Sequence, residues 1–276
     1  MFGPLVTPEW LLEHVTDPDV RVIDFRWYLD GRDGPAAYRA GHIPGAVFLD
    51  LADVTGETGP GRHPLPSPER FAAALRAAGV SRSTRVVAYD DATSIPTAAR
   101  LWWLLRHFGH AQAAVLDGGI QAWPGTLERG DEPPPAPGDF QAAEPLLDEV
   151  VDAERVRDRA PETILIDARA PERYRGETEP VDPRAGHIRG ALSAPWDSNL
   201  SPDGRMRSPE ELRRRFAELG IAEGQQVIAY CGSGVSASHD LLALEVAGLP
   251  GGRLYEGSWS DWSRRDDLPA ATGAVP

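Results

Sequence analysis

The feature that most restricts what this chain can fold into is that it carries the same pattern twice. Ala40-Gly-His-Ile-Pro-Gly-Ala46 returns as Ala185-Gly-His-Ile-Arg-Gly-Ala191, and Val22-Ile-Asp24 returns within Ile164-Leu-Ile-Asp167. Arg85-Val-Val-Ala-Tyr89 matches Gln226-Val-Ile-Ala-Tyr230, Ser67–Gly79 matches Ser208–Gly220, and Leu116-Asp-Gly-Gly119 with Trp123 matches Tyr255-Glu-Gly-Ser258 with Trp262. The pairs Asp24/Asp167, His42/His187 and Tyr89/Tyr230 are offset by 143, 145 and 141 residues. So small a drift over five matches in one order means one fold present twice. A chain of 276 residues suits two domains of about 130 residues each. The expected division is a first domain over 1–123, a linker over 124–145 and a second domain over 146–276.

Within each copy, short β-branched runs alternate with helical segments. Val20–Phe25, Arg85–Tyr89 and Ala114–Leu116 read as buried strands. Ser67 caps a helix with Pro68 at its first position, Phe71, Ala74, Leu75 and Ala78 on one face, and Gly79 at its end. Thr7-Pro8 opens another. The order implies an α/β class, with a mainly parallel sheet flanked by helices in each copy. Residues 52–67 form a polar loop too long for mere connection and are expected to be functional. The Pro-, Gly- and acid-rich residues 124–145 read as an extended, semi-rigid linker.

The copies part company at one informative place. After Tyr89 comes Asp90-Asp91; after Tyr230 comes Cys231-Gly-Ser-Gly-Val-Ser236, followed by a helical run over Ala237–Ala247. The single cysteine thus sits in a glycine-rich turn between a strand and a helix. Gly232, Ser233, Gly234, Val235 and Ser236 can aim backbone N–H groups at one spot, with the positive end of a helix behind them. That setting favours an anion, and a thiolate is one. A lone cysteine is otherwise as often a small packing residue; its position at the strand–helix turn points to a nucleophile. The first copy, lacking it, is expected to serve as scaffold and as one wall of a cleft between domains.

The totals narrow the class further. Twenty-eight basic against 42 acidic residues give a net charge of −14, which argues against nucleic acid and anionic membranes as partners. One cysteine excludes an internal disulfide and disfavours a cysteine-based zinc site. The opening residues have no basic region leading into an apolar one, and no apolar run approaches about 18 residues, so a cytoplasmic enzyme is expected.

Taken together, the two Asp-ended strands, the two Gly-His-Ile-x-Gly-Ala segments, the Cys231 loop and Gly257-Ser-Trp259 resemble the tandem-domain rhodaneses, a family of sulfurtransferases, over nearly the whole chain. The resemblance implies an inactive first domain, a catalytic second one, and a persulfide on Cys231 as intermediate. It implies no metal or organic cofactor. The partners implied are a small-molecule sulfur donor and, as acceptor, cyanide or a thiol, either small or on a thioredoxin-like protein. Thiosulfate-using members carry basic residues just after the cysteine. Gly232 and Ser233 are neutral, and the loop is similar to that of members using 3-mercaptopyruvate, with Ser236 where threonine is usual. Arg173 matches the arginine that holds the donor carboxylate. A second family arginine falls on Asp182, leaving Arg184, two residues on, as a substitute. His63 resembles a histidine proposed to relay protons with the loop serine, here Ser233; the acid of that relay aligns with Ala52, next to Asp53.

His42 and His187 occur in both copies, as do Asp24 and Asp167, so structural roles are expected for all four, and for His239 on the helix after the loop. Three rivals stand beside a mercaptopyruvate enzyme: a thiosulfate sulfurtransferase on the same scaffold, a cysteine phosphatase, and a non-catalytic sulfur-binding or scaffold protein. The phosphatase is disfavoured because such enzymes place an arginine six residues after the nucleophile, where this chain has Ala237.

Overall fold

The computed structural model describes residues 2–145 and 147–276. It divides into two compact units that do not follow the chain strictly. The first comprises Met1–Gly56, Pro66–Pro145 and Pro202–Arg205; the second comprises Glu57–Leu65, Leu146–Ser201 and Met206–Pro276.

In the first unit the described elements are β1 (Leu5–Val6), α1 (Pro8–His14), β2 (Val20–Asp24), α2 (Gly34–Ala40), β3 (Val47–Phe48), α3 (Pro68–Ala77), β4 (Arg85–Tyr89), α4 (Ala98–His107) and β5 (Ala113–Leu116). The strands form one parallel sheet in the order β1-β5-β4-β2-β3. The caps read from sequence form as expected: Thr7 Oγ1 accepts from Trp10 N–H, and Ser67 Oγ from Arg70 N–H.

The second unit repeats this plan with β6 (Val150–Val151), α5 (Ala153–Arg157), β7 (Ile164–Asp167), α6 (Pro171–Tyr174), β8 (His187–Ile188), β9 (Ala191–Ser193), α7 (Pro209–Glu218), β10 (Val227–Tyr230), α8 (Val235–Val246), β11 (Arg253–Tyr255), α9 (Ser258–Trp262) and β12 (Ala270–Ala271). Its parallel sheet runs β6-β11-β10-β7-β9, the same order, with β8 and β12 as a small antiparallel pair.

The repeat extends to the buried polar groups. Tyr89 donates its hydroxyl to Asp24 at 2.6 Å and accepts from Ile43 N–H, while Arg26 grips the same carboxylate and the Gly41 carbonyl. In the second unit Arg169 grips Asp167 and the Gly186 carbonyl, and Tyr230 accepts from Ile188 N–H. His42 stacks on Tyr38 and His187 on Tyr174, each using Nδ1 to bond the tyrosine carbonyl. These aspartates and histidines pin the Gly-His-Ile segment to the sheet in both units. That is a fold-building role: removing one partner would leave a buried charge uncompensated.

Two expectations need correction. Residues 124–145 contain no helix or strand, but they are not a free spacer, because they belong to the first unit. Phe140 is buried against Phe71, and the backbone bonds back through Gly138 N–H to Arg76 O, Phe140 N–H to Val80 O and Ala143 N–H to Phe108 O. An apolar anchor and a ladder of backbone bonds turn a composition typical of linkers into a strap. The other correction concerns the long loop of the first copy, whose residues 57–65 pack with the second unit.

Candidate active site

Cys231 follows β10, the central strand of the second sheet, at its carboxyl end, where parallel α/β sheets present their ligands. The turn is tighter than the sequence suggested, since α8 starts at Val235 rather than Ala237. Gly234 precedes it with φ +82°, a left-handed conformation that glycine adopts without steric cost. This folds the chain back so that Gly234 N–H donates to Cys231 Sγ at 3.1 Å. The first-turn N–H groups of α8, beginning with Val235 and Ser236, lack intrahelical acceptors and favour negative charge at the same end. Cys231 is buried, at 3% exposure, with the Gly234 N–H on its sulfur.

The turn is clamped from behind by α9. Trp259 N–H donates to Cys231 O and Ser260 N–H to Gly232 O, both at 2.9 Å. Ser258 Oγ accepts from Cys231 N–H at 3.2 Å and donates to Tyr255 O at 2.9 Å. Ser258 has φ +52°, the one positive value among described non-glycine residues; its counterpart in the first unit is Gly119, with φ +61°. The second copy therefore tolerates about 1 kcal/mol of backbone strain to place a hydroxyl against the Cys231 N–H. Ser258→Ala, which keeps the strain and orphans the N–H, should destabilise by about 1–3 kcal/mol, and Ser258→Gly by less. Urea unfolding of both variants checks this; an equal or reversed order removes the strain argument.

The 57–65 segment closes over this turn. Gly61 has φ +76°, and a β-carbon there would meet Gly257 O at 2.5 Å, so only glycine fits. Arg62 N–H donates to Ser260 Oγ and Leu65 N–H to Glu256 Oε2, both at 3.0 Å. This fixes His63 with Nδ1 at 2.8 Å from Ser233 Oγ, joining residues 170 apart in sequence.

Beside the turn runs a chain of alternating charge. Arg62 pairs with Asp182, Asp182 with Arg173 at 3.3 Å, Arg173 with Glu179 at 2.6 Å, Glu179 with Arg169 at 3.2 Å, and Arg169 with Asp167 at 2.6 Å. The two ends differ. Asp167 is buried at the end of β7, whereas Arg62 and Arg173 border the turn: a β-carbon on Gly232 would stand 3.1 Å from Arg62 Nη2 and 3.7 Å from Arg173 Nη1.

The structure thus gathers Cys231, Gly232, Ser233, Gly234, His63 and Arg173. It does not gather Arg184. That side chain donates to Leu268 O at 3.0 Å and Trp262 O at 2.9 Å beside the Trp259 ring, holding the end of α9 instead of facing the turn. Asp53 is likewise engaged elsewhere, its carboxylate accepting from Asp50 N–H in a capping box. His239 is buried between Trp196 and Asn199, and burial followed by the nearby Arg215 charge pushes its pKa down to about 3, so it stays neutral. Sequence reasoning missed Arg62, Glu179, Asp182 and Ser258 as members of the site. The available hints were the adjacency of Arg62 to His63, the place of Asp182 where a second arginine was expected, and Ser258 within the Gly257-Ser-Trp259 motif.

Ligand atoms of His42, Glu128 and Glu132 lie within 4.8 Å of one another in the first unit. His187 reproduces the pose of His42, including the Nδ1 bond, so the pose belongs to the repeat and does not itself indicate a metal. A cavity of about 650 Å³, also in the first unit, is lined by Tyr38, Phe48, Arg70 and Pro133–Pro135 and contains none of the Cys231-turn residues. No helix among the described residues is long and apolar enough to cross a membrane.

Comparison with known proteins agrees with this geometry. A model of the rhodanese-like domain matches residues 7–126 and again 151–265. A Pseudomonas aeruginosa protein described as "Probable 3-mercaptopyruvate sulfurtransferase" is 43% identical over 282 residues, covering 98% of each chain. The rat thiosulfate sulfurtransferase is 36% identical, over 96% of this chain and 93% of its own. The crystal structure of the 3-mercaptopyruvate sulfotransferase of Escherichia coli superposes with a TM-score of 0.81 at 36% identity, covering 94% of this chain and 99% of that one. With both halves matched and the repeated sheet order, buried pillars and cysteine turn in place, the chain belongs to the rhodanese-like family.

Proposed function

We propose that this rhodanese-family sulfurtransferase takes sulfur from 3-mercaptopyruvate and passes it, through a persulfide on Cys231, to a thiol or to cyanide. The observation that carries this reading is the division of labour at the turn. Gly232 and Ser233 bring no charge, the Ser233 hydroxyl is bonded to His63, and the cations stand to one side, at Arg62 and Arg173. A dianion such as thiosulfate calls for cations in the loop itself. A monocarboxylate whose sulfur lies three bonds from its carboxyl carbon suits a neutral cup with arginines beside it.

In the first half-reaction the Cys231 thiolate attacks the donor sulfur. The new S–S bond forms as the C–S bond breaks, and that electron pair leaves on carbon as the enolate of pyruvate. A proton then completes pyruvate, and Ser233 with His63 is placed to carry protons at this point. Gly234 N–H and the first turn of α8 stabilise negative charge on sulfur. In the second half-reaction an acceptor thiolate or cyanide attacks the outer sulfur and frees Cys231. No step calls on a metal or organic cofactor. The first unit, with Asp90 where the nucleophile would be, acts as scaffold. A cytoplasmic setting suits a single free thiol.

With cyanide as common acceptor, kcat/KM for 3-mercaptopyruvate should exceed that for thiosulfate by at least about tenfold, the worth of one charge-assisted contact made by one donor and not the other. A preference for thiosulfate would transfer the assignment to the alternative donor. A Cys231 inert to alkylation at neutral pH would favour a non-catalytic sulfur-binding protein.

A further inference from the structure

Away from the cysteine turn, the first unit brings three ligand-type side chains to one place. Ligand atoms of His42, Glu128 and Glu132 come within 4.8 Å of one another, and His42 Nε2 stands 3.6 Å from Glu132 Oε1. The His42 ring is fully buried, stacked on Tyr38 with centroids 4.0 Å apart, and its Nδ1 bonds the Tyr38 carbonyl at 3.0 Å. A carbonyl can only accept, so in the neutral ring Nδ1 carries the hydrogen and Nε2 presents a lone pair. That nitrogen is buried without a hydrogen-bond partner and is aimed at the two carboxylates. A buried polar atom left in this state is costly unless something occupies the space before it.

The second copy serves as an internal control. His187 has the same pose and the same unpartnered Nε2, so neither feature singles out the first unit. The carboxylates do. Glu128 pairs with His42 in an antiparallel bridge, each N–H donating to the other's carbonyl at 2.9 and 3.0 Å. His187 has Ala271 in that place. The offset of 143 residues that separates Asp24 from Asp167 also separates Glu128 from Ala271 and Glu132 from Val275. The backbone frame is common to both copies, and the first alone adds two acids around the nitrogen. Gly45 N–H donates to Glu128 Oε2 at 3.1 Å, which orients that carboxylate, and Gly130 N–H donates to Arg39 O at 2.9 Å, which pins the strap carrying both acids. We propose that His42 Nε2, Glu128 and Glu132 form a binding site for a divalent metal ion of the zinc class, tying the 124–145 strap to the Gly-His-Ile segment. An imidazole beside two carboxylates favours such an ion over magnesium or calcium, which prefer all-oxygen sites. Ligand atoms around a tetrahedral zinc stand about 3.4 Å apart, so the His42–Glu132 separation needs almost no change and the exposed Glu128 side chain supplies the rest. The site is independent of Cys231 and of the identity of the sulfur donor.

Zinc binding to the full chain is measured by isothermal titration calorimetry at about pH 7.5, where the imidazole is largely neutral, in a Cys231→Ser background so that no thiolate competes for the metal. The chain should take up one zinc ion, and magnesium should bind at least about tenfold more weakly. Replacing His42 would also remove a fold-building contact, so the two exposed acids carry the test. Glu128→Gln and Glu132→Gln, which keep shape and remove charge, should each raise Kd for zinc by at least about tenfold. At about 100 times Kd, zinc should raise Tm by about 5–10 °C in the Cys231→Ser protein, and at the same concentration it should leave the version that also carries both Gln substitutions unshifted. A Kd weaker than about 1 mM would mean that the cluster is only a histidine–carboxylate ion pair, and overturns the proposal. So does tight zinc binding that neither Gln substitution weakens, which would place the metal elsewhere, or a preference for magnesium, which would reject the imidazole as a ligand.

Discussion

Cys231→Ser should lose at least about 1,000-fold in kcat/KM for sulfur transfer with either donor, while folding almost as the parent does. A serine hydroxyl is not appreciably ionised near neutrality and cannot form the persulfide. It can, however, accept the Gly234 N–H that now bonds Sγ, and it leaves the clamp from Ser258, Trp259 and Ser260 untouched. The stability change should therefore stay within about 1 kcal/mol. Mass spectrometry gives the sharper readout. Incubation with 3-mercaptopyruvate and no acceptor should add one sulfur atom to the parent protein and none to the variant, and cyanide should then remove it. A variant that still gains the sulfur would falsify the persulfide route.

The other large effect is expected in the unit that carries no cysteine. Asp90 occupies the position of Cys231 and is buried, with Oδ2 accepting the N–H of Ala98, the first residue of α4, at 2.8 Å. Burial pushes its pKa up to about 7, opposed by that N–H and reinforced by the charges of Asp91 and Asp24. A carboxyl raised in the folded state from an unfolded value near 4 binds more protons folded than unfolded between those pH values. Its contribution is therefore intact at low pH and is lost as pH rises through the window from about 4 to about 7. Asp90→Asn keeps an oxygen for Ala98 N–H and removes the titration. The variant should match the parent near pH 4 and exceed it by about 2–4 kcal/mol at pH 8 in urea unfolding. Asp240, also pushed up to about 7 by burial, is common to both proteins and cancels in the difference. A difference that does not change with pH would mean Asp90 is not the titrating group.

Most of the fold was legible because its signals are local or repeated. Ser67-Pro68, Thr7-Pro8 and Ser208-Pro209 announce helix starts through neighbouring atoms, and the doubled Gly-His-Ile segments report a buried pillar that both halves need. The cysteine turn was legible for the same reason: strand, glycines and helix lie side by side in sequence. Illegible were the features made by chain segments far apart. Nothing in residues 124–145 says that Phe140 seats against Phe71, and nothing near Arg62 says that Asp182, 120 residues on, will hold it. Arg184 misled for a related reason. It stands two residues beyond the expected position, at Asp182, and looked near enough to substitute, but the carbonyls of Trp262 and Leu268 capture it, and those come from the far end of the chain.

The exchange of loops between the two units changes what a half of this protein is. Residues 57–65 belong to the second unit and 202–205 to the first. Arg205 stands 143 residues after Arg62, the offset that separates Asp24 from Asp167, and it packs against Gly118, the counterpart of Gly257. The swap is thus reciprocal, with the same loop of each repeat given to the other. Covalent order and architectural order have come apart, so a fragment beginning at residue 146 holds Cys231 but neither His63 nor Arg62. Genetic dissection at the repeat boundary should yield two incomplete pieces, and recombining homologous halves should succeed only when each half travels with the loop its partner needs.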